Sequence, residues 1–438
     1  MRISRNLFTA LIATLLCLTS VVAQPRGFNL IVVGDPQPQT EEQITRLEKE
    51  IIPQIATIVE EYKATGYPTA ILLTGDVVWD TTKFLPRVKA DFESLGVPIY
   101  AVIGNHDHNK RHQRNQPRAE ADYREAFGAR NQSFMLGETL FVTLDNIDYT
   151  DHTKYSLKVD ADQLIWLAEV LEQNSDIEHV AVCMHAPATS PRTGGFIPYA
   201  KPIVSILGDR KVDFITGHGH RHGTYEHGTN IIEHSVAQVS GNLWFAPICA
   251  DGTPQGVFCI EERDGEWRWH HRMLGKSANE ALIAYPTGRV AEHEEYVVVK
   301  VVGWDSKWSL SWSENGADMG AMEQIQILDP DYMYYVENEA DYRDKYMQRL
   351  RRSARPHKHY FRCKPTSENS EITITATDRF GRVYSVTLQE RHIRLQRDIR
   401  DLRDKGEAAN KFYSNFPLVS YLFFLFNTQK ISLAHAYS

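Results

Sequence analysis

Between residue 28 and about residue 270 the chain repeats one local pattern, a short apolar run that stops on a polar residue, usually beside a glycine. FNLIVV leads into Gly34-Asp35, TAILLTG into Asp76 and PIYAVIG into Asn105, while TLFVTLD, HVAVCMH and VDFITGH end in the polar residue itself. LWFAPI follows at 243–248. Runs this short and apolar suit strands buried on both faces, and the segments between them have helical spacing. In EEQITRLEKEIIPQIATIVEEYKA, Ile44, Leu47, Ile51, Ile55 and Ile58 recur every three or four residues and make one apolar face, and ADQLIWLAEVLEQN is a second helix of this kind. Alternation of this sort predicts an α/β domain built in layers, with chemistry collected at the strand ends.

At 438 residues, 42% hydrophobic and 24% charged, the chain exceeds one ordinary core and predicts two domains. The texture changes after residue 275. EEYVVVKVVGWDSKWSLSWSENG has the period-two alternation of two strands around a turn, and SEITITATDRFGRVYSVTLQ that of a hairpin closed near Phe380 and Gly381. A core over 24–275 followed by a small β-sandwich over 290–390 is expected, the sandwich serving for packing or docking because it contains no cluster with metal-ligand spacing. From 391 to 438 a charged helix, RHIRLQRDIRDLRDKGE, precedes FPLVSYLFFLFN, about half of the ~20 residues a membrane span requires.

At the other end, Arg2 and Arg5 precede an apolar stretch with Val21 and Ala23 before a cleavage point, which predicts a secretory signal peptide over 1–23. Leu16 rather than a small residue precedes Cys17, so a lipid anchor is not expected. The mature chain is then secreted or periplasmic, with no membrane span. Its four remaining cysteines, at 183, 249, 259 and 363, are too few for a disulfide framework. Cys249 and Cys259 fit either a bridge across a hairpin or two separate buried thiols. A net charge of −8 argues against a broad nucleic-acid surface, so affinity for phosphate has to be local, as a bound metal would make it.

Five elements carry that possibility: 34-GDPQ-37, 75-GDVVWD-80, 104-GNHDH-108, 184-MHAP-187 and 217-GHGHRH-222. Each follows an apolar run, and together they offer carboxylate, amide and imidazole ligands suited to borderline transition metals. In this order they resemble the calcineurin-like metallophosphoesterases, whose pattern runs Asp-x-His, Gly-Asp, Gly-Asn-His-Asp/Glu, a lone His, then Gly-His-x-His. Every element is present except the first histidine, replaced by Gln37. The likeness extends over most of the chain, since a secreted branch of the family carries a C-terminal domain similar to the stretch from EEYVVVKVVGWD to TDRFGRVYSVTL, and that branch commonly has Asp-Pro-Gln.

The resemblance implies a layered metallophosphoesterase core, two mixed sheets flanked by helices. It implies one metal at Asp35, Gln37, Asp76 and His220 and a second at Asp76, Asn105, His185 and His218, with Asp76 bridging. The ions would be Mn, Fe or Zn, divalent or of mixed valence, and a hydroxide bridging them would hydrolyse phosphate mono- or diesters. His106 would face the leaving group, oriented by Asp80 or Asp107, although Asp107 suits a turn cap equally. Gln37 offers a neutral oxygen, a weaker donor than imidazole but acceptable to Mn, Mg or Fe; the alternative is that it only hydrogen-bonds a metal-held water. Lys110, Arg111, Arg114 and Arg192 fit either substrate contacts or solvated surface. Two other functions stay open: metal-dependent binding of a phosphorylated envelope component without catalysis, and phosphatase action on phosphoserine or phosphothreonine proteins.

Overall fold

The computed structural model describes residues 26–112, 114–149, 154–190, 193–339, 354–367 and 369–389. The expected signal peptide, the charged helix and apolar tail, and Arg192 lie outside the described residues. The first strands in chain order are β1 (Gly27–Val33), β2 (Thr69–Leu73), β3 (Ile99–Ala101), β4 (Gln132–Leu136), β5 (Thr139–Leu144), β6 (Ile147–Tyr149), β7 (Tyr155–Leu157), β8 (His179–Met184), β9 (Lys211–Thr216), β10 (Gly223–His227), β11 (Ile231–Ser235), β12 (Gly256–Arg263) and β13 (Glu266–Met273). They form two mixed sheets, ordered β13-β12-β1-β2-β3 and β10-β11-β9-β8-β5-β4, and β6 pairs with β7.

Alternation along β1 shows why the apolar runs are continuous. Phe28, Leu30 and Val32 face the second sheet and pack with Phe141, Ala181, Ile215, Trp267 and Trp269. Ile31 and Val33 face away, onto the helical segment that carries Ile44, Leu47, Ile51, Ile55 and Ile58. A second helical layer, Ala161–Gln173 and Lys201–Leu207, covers the outer face of the other sheet. Strands covered on both faces gain nothing from polar alternation, so their sequence reads as unbroken hydrophobe. The long helical segment changes to π spacing over Leu47–Ile51, just before Pro53, which has no N–H to return to the preceding turn.

The chain then builds a second body from β14 (Leu282–Tyr285), β15 (Val297–Val301), β16 (Ser309–Glu314), β17 (Ala317–Ala321), β18 (Glu323–Ile327), β19 (His357–Cys363), β20 (Glu371–Thr377) and β21 (Val383–Gln389). Two four-stranded sheets, β14-β15-β19-β18 and β17-β16-β20-β21, face each other across Val297, Val299, Trp312, Phe361 and Ile374. The tip of the β20–β21 hairpin docks on the core: Phe380 packs edge-on to Trp269 at 4.8 Å, and the Arg382 guanidinium donates to His270 Nδ1 at 2.7 Å.

Several expectations are corrected here. LWFAPI is not a strand but a tight turn, with Leu243 and Trp244 at φ +50° and +69°. Phe245 is exposed, while Trp244 packs into the first core and Ala246 and Ile248 pack against Tyr332 and Val336, so the apolar run reflects several separate contacts rather than strand burial. The strands β15 and β16 are not a hairpin but lie in opposite sheets, because period-two alternation reports one buried face and says nothing of the pairing partner. The hairpin β12–β13 gives no continuous apolar run because charges alternate through it, although its Asp264-Gly265 turn, at φ +52° and +78°, is a strong local signal. Cys249 and Cys259 are separate buried thiols, the Cys249 Sγ–H donating to the Gln238 and Gly241 carbonyls.

Within the second sheet Asp213 accepts hydrogen bonds from His179 Nε2 at 2.6 Å and His234 Nε2 at 2.8 Å. Burial would raise its pKa, but the two imidazoles hold it well below the usual carboxylate range. The resulting stability is present above the unfolded carboxylate value near pH ~3.9 and is lost as pH falls through the lower folded value. Asp213→Ala is expected to destabilise the core by ~3–5 kcal/mol at neutral pH and by much less near pH 2, read from denaturant unfolding at both pH values.

Candidate metal centre

Parallel pairing of β1, β2 and β3 in one sheet and of β5, β8 and β9 in the other brings the carboxyl ends of these strands to one edge of the layered core. Asp35 and Gln37 follow β1, Asp76 follows β2, Asn105 and His106 follow β3, His185 follows β8, and His218 and His220 follow β9. All seven candidate ligands converge. Asp76, His185 and His218 have ligand atoms within 4.8 Å of one another, as do Asp35, Asp76 and His220, so Asp76 belongs to both groups. Asn105 Oδ1 adds a neutral oxygen 3.1 Å from His185 Nε2.

The approach is close enough to exclude side chains from the preceding turns. A Cβ on Gly104 would lie 2.1 Å from the Asp76 amide nitrogen, and one on Gly217 would lie 2.4 Å from Asp35 Oδ1. The backbone is also bent away from its preferred regions: Asp35, Gln37, Asp76, Asp80, His218 and His220 are six of the twelve described non-glycine residues at positive φ. Each such residue costs on the order of 1–3 kcal/mol, and their concentration at one edge marks a site that the rest of the fold holds in place.

Hydrogen bonds set which atoms face inward. His185 Nδ1–H donates to the Thr74 carbonyl at 2.9 Å, leaving Nε2 toward Asp76 Oδ1 at 3.3 Å. His218 presents Nδ1 3.1 Å from His185 Nε2, while its Nε2–H donates to the Tyr155 hydroxyl oxygen at 3.0 Å. These partners fix the tautomers a cation requires. His220 Nε2 lies 3.1 Å from Asp35 Oδ2. Burial opposes ionisation of Asp76, yet the neighbouring His185, His106 and His218 hold it far below the usual carboxylate range. Burial likewise disfavours the His185 cation, but the Asp76 charge and hydrogen bond push its pKa up to about 10.

Gln37 supplies the test of fit. Its Nε2 donates to Asp76 Oδ2 at 2.7 Å, and its buried Oε1 has no hydrogen-bond partner. An orphaned carbonyl oxygen beside two carboxylates is costly unless something electropositive meets it. A cation held by Asp35, Asp76 and His220 would do so. Gln37→Ala is expected to weaken one of two bound metals by about 10–100-fold and the other far less, read by competition with a chromophoric chelator. Two unchanged affinities would remove Gln37 from the ligand set.

His106 stands beside this cluster. Its Nδ1 bonds Asp80 Oδ1 at 2.7 Å, Lys110 Nζ lies 2.6 Å from the same carboxylate, and Trp79 covers the ring at 4.6 Å between centroids. Burial lowers the His106 pKa, but the charges of Asp76 and Asp80 outweigh that and raise it. The choice between orienting carboxylates is thus decided for Asp80. Asp107 accepts from the amides of Val78 at 3.0 Å and Gly104 at 2.8 Å and caps the turn. Thr74, Tyr155, Tyr149, whose hydroxyl donates to the Asn105 carbonyl at 2.5 Å, and Trp244, whose Nε1–H donates to the Pro36 carbonyl at 2.9 Å, carried no motif that would have marked them.

Solved structures similar to part of the chain include a dimetal phosphatase from Danio rerio, 14% identical over 57% of this chain and 96% of that one, with a TM-score of 0.40. A purple acid phosphatase from yellow lupin seeds is 12% identical over 57% and 52%, with a TM-score of 0.41. A 5'-nucleotidase from Candida albicans is 9% identical over 56% and 50%, with a TM-score of 0.36. The chain spans about half the length of the last two. No curated protein matches it in sequence. The family model of calcineurin-like phosphoesterase matches residues 28–223, which include every candidate ligand, and the model of the C-terminal domain of calcineurin-like phosphoesterase matches residues 233–384. With both of the family's domains in one chain, this protein belongs to the calcineurin-like phosphoesterases.

Proposed function

We propose that the chain is an exported, binuclear metal-dependent phosphoesterase that hydrolyses phosphate mono- or diesters. The observation that carries this reading is the pair of ligand groups sharing Asp76, completed by the unpartnered oxygen of Gln37. One ion would be held by Asp35, Gln37, Asp76 and His220, the other by Asp76, Asn105, His185 and His218. Bound there, a pair of divalent or mixed-valence Mn, Fe or Zn ions supplies Lewis-acid polarisation of the phosphoryl oxygens and a water nucleophile at neutral pH.

The remaining work falls to side chains. His106, its Nδ1–H held by Asp80, turns its other nitrogen away from that bond and can give a proton to the departing ester oxygen. Trp79 on its face restricts the ring. The Gln37 amide bond to Asp76 and the His106 amide bond to Asp76 Oδ1 at 2.8 Å hold the shared carboxylate in one orientation. Export rests on the sequence of residues 1–23, and it favours small or envelope-linked phosphate esters over phosphoserine proteins as substrates. No helix among the described residues is long and apolar enough to cross a membrane.

The decisive experiment compares p-nitrophenyl phosphate with its bis-p-nitrophenyl diester, using chelator-stripped protein reconstituted with Mn, Fe, Zn or Mg in turn. Turnover that returns with about two equivalents of metal is expected, and the preferred ester separates monoesterase from diesterase. Stoichiometric metal uptake without hydrolysis of either ester would replace this reading with metal-dependent binding of a phosphorylated component.

A further inference from the structure

A cleft lies away from the ligand cluster. It has a volume of about 630 Å³ and runs along the seam between the layered core and the β-sandwich, lined among others by Arg221, Glu226, Asp305, His357, Lys358 and Arg379. A smaller cavity of about 230 Å³ opens beside it, and its wall includes the candidate ligand His220 together with Arg221, Asp251 and His357. Arg221 and His357 border both spaces. Arg221 therefore stands at the junction between the seam and the candidate metal centre.

Among the described residues its charge has no ion-pair partner. The acids in the large cleft are already engaged: Asp305 lies 2.7 Å from Arg379 Nε, and Glu226 lies 3.0 Å from Arg379 and 3.6 Å from Lys307. Asp251 accepts from the amides of His222 and Thr253, each at 2.9 Å, and from the Thr253 hydroxyl at 2.7 Å. The half-buried Arg221 guanidinium makes no hydrogen bond or ion pair among the described residues. Lys358, exposed on the rim, has no carboxylate partner among them either. A partly desolvated guanidinium without an anion is an unfavourable resting arrangement, and its planar fork matches a carboxylate or a phosphate through two parallel bonds. The smaller cavity has room for roughly seven waters at ~30 Å³ each, enough for a small anionic substituent.

We propose that Arg221, with His357 facing it from the β-sandwich, binds a second anionic group, carboxylate or phosphate, carried by the organic part of a phosphate-ester substrate. The substrate class is thereby narrowed to phosphate esters bearing another negative charge, and the β-sandwich becomes part of the substrate site. This inference rests on the phosphoesterase reading for its catalytic meaning, but not for its test.

The test uses metal-loaded full-length protein and two matched sets of probes. Calorimetry compares ethylphosphonate with phosphonoacetate and 1,2-ethylenebisphosphonate, none of which is hydrolysed. Kinetics compares ethyl phosphate with 2-phosphoglycolate and ethylene glycol bisphosphate. The doubly anionic members are expected to bind, and to be turned over in kcat/KM, at least about tenfold better, as a charge-assisted bidentate contact implies. Arg221→Gln should bring both ratios close to one, and Arg221→Lys should retain part of the preference. Melting temperature and metal content of the variants show that the fold is intact. Preference confined to the carboxylate or to the phosphonate member identifies which anion the subsite takes. Arg221-dependent binding without hydrolysis of any ester would leave the subsite standing and overturn the catalytic reading instead. The same preference in wild type and Arg221→Gln, or no preference in either, overturns the subsite.

Discussion

Asp76→Asn is expected to lower turnover by on the order of 10³-fold or more and to reduce bound metal from two equivalents to one or fewer. Asp76 is the one residue common to both ligand groups. Its Oδ1 receives the His106 amide at 2.8 Å and its Oδ2 receives the Gln37 amide at 2.7 Å, so both oxygens already face donors. Asparagine keeps the shape but places an NH2 against one of those donors, and it removes the negative charge shared by the two cations. The loss of a shared anionic ligand amounts to several kcal/mol of transition-state stabilisation, and each ~1.36 kcal/mol is a factor of ten. Metal content by mass spectrometry and kcat/KM on the preferred nitrophenyl ester check the two halves of this expectation. A variant with two equivalents of metal and near-normal rate would sink the shared-ligand assignment.

Replacement of His106 should separate positioning of metal from transfer of a proton. The ring is in neither ligand group, so His106→Asn is expected to keep two equivalents of metal. Its cost should depend on the leaving group. An alkyl phosphate, whose alkoxide needs a proton, should lose ~10²–10⁴-fold, whereas p-nitrophenyl phosphate, whose phenolate leaves unaided, should lose much less. Asp80→Asn, which keeps a carbonyl at the position that accepts from His106 Nδ1 but removes the charge, should fall between wild type and His106→Asn on the alkyl ester. Equal losses on both esters would mean that His106 acts in substrate binding and donates no proton.

The sequence by itself determined the layered α/β class and every candidate ligand, because both are local properties. A strand covered on both faces must be apolar throughout, and most of the candidate ligands at strand ends follow a glycine, so the run and the Gly-Asp, Gly-Asn or Gly-His that closes it lie within a few residues of each other. Gly104 and Gly217 show the reason directly, since a Cβ at either would collide with a ligand residue from another strand.

Only the tertiary structure decided which candidate ligand atoms lie together, which carboxylate holds His106, and where the C-terminal domain sits. Asp35 meets the His218 amide at 3.0 Å across a sequence separation of 183 residues, and that distance is set by strand register and sheet packing rather than by anything either segment encodes alone. The partition of β15 and β16 into different sheets, the strained turn at LWFAPI, and the Thr74 and Tyr155 partners of the histidines are of the same kind. Apolar periodicity records that a face is buried. It does not record what buries it, so Arg221 beside His220 was visible as two adjacent letters, while the cleft it shares with His357 appeared only when the two domains were packed together.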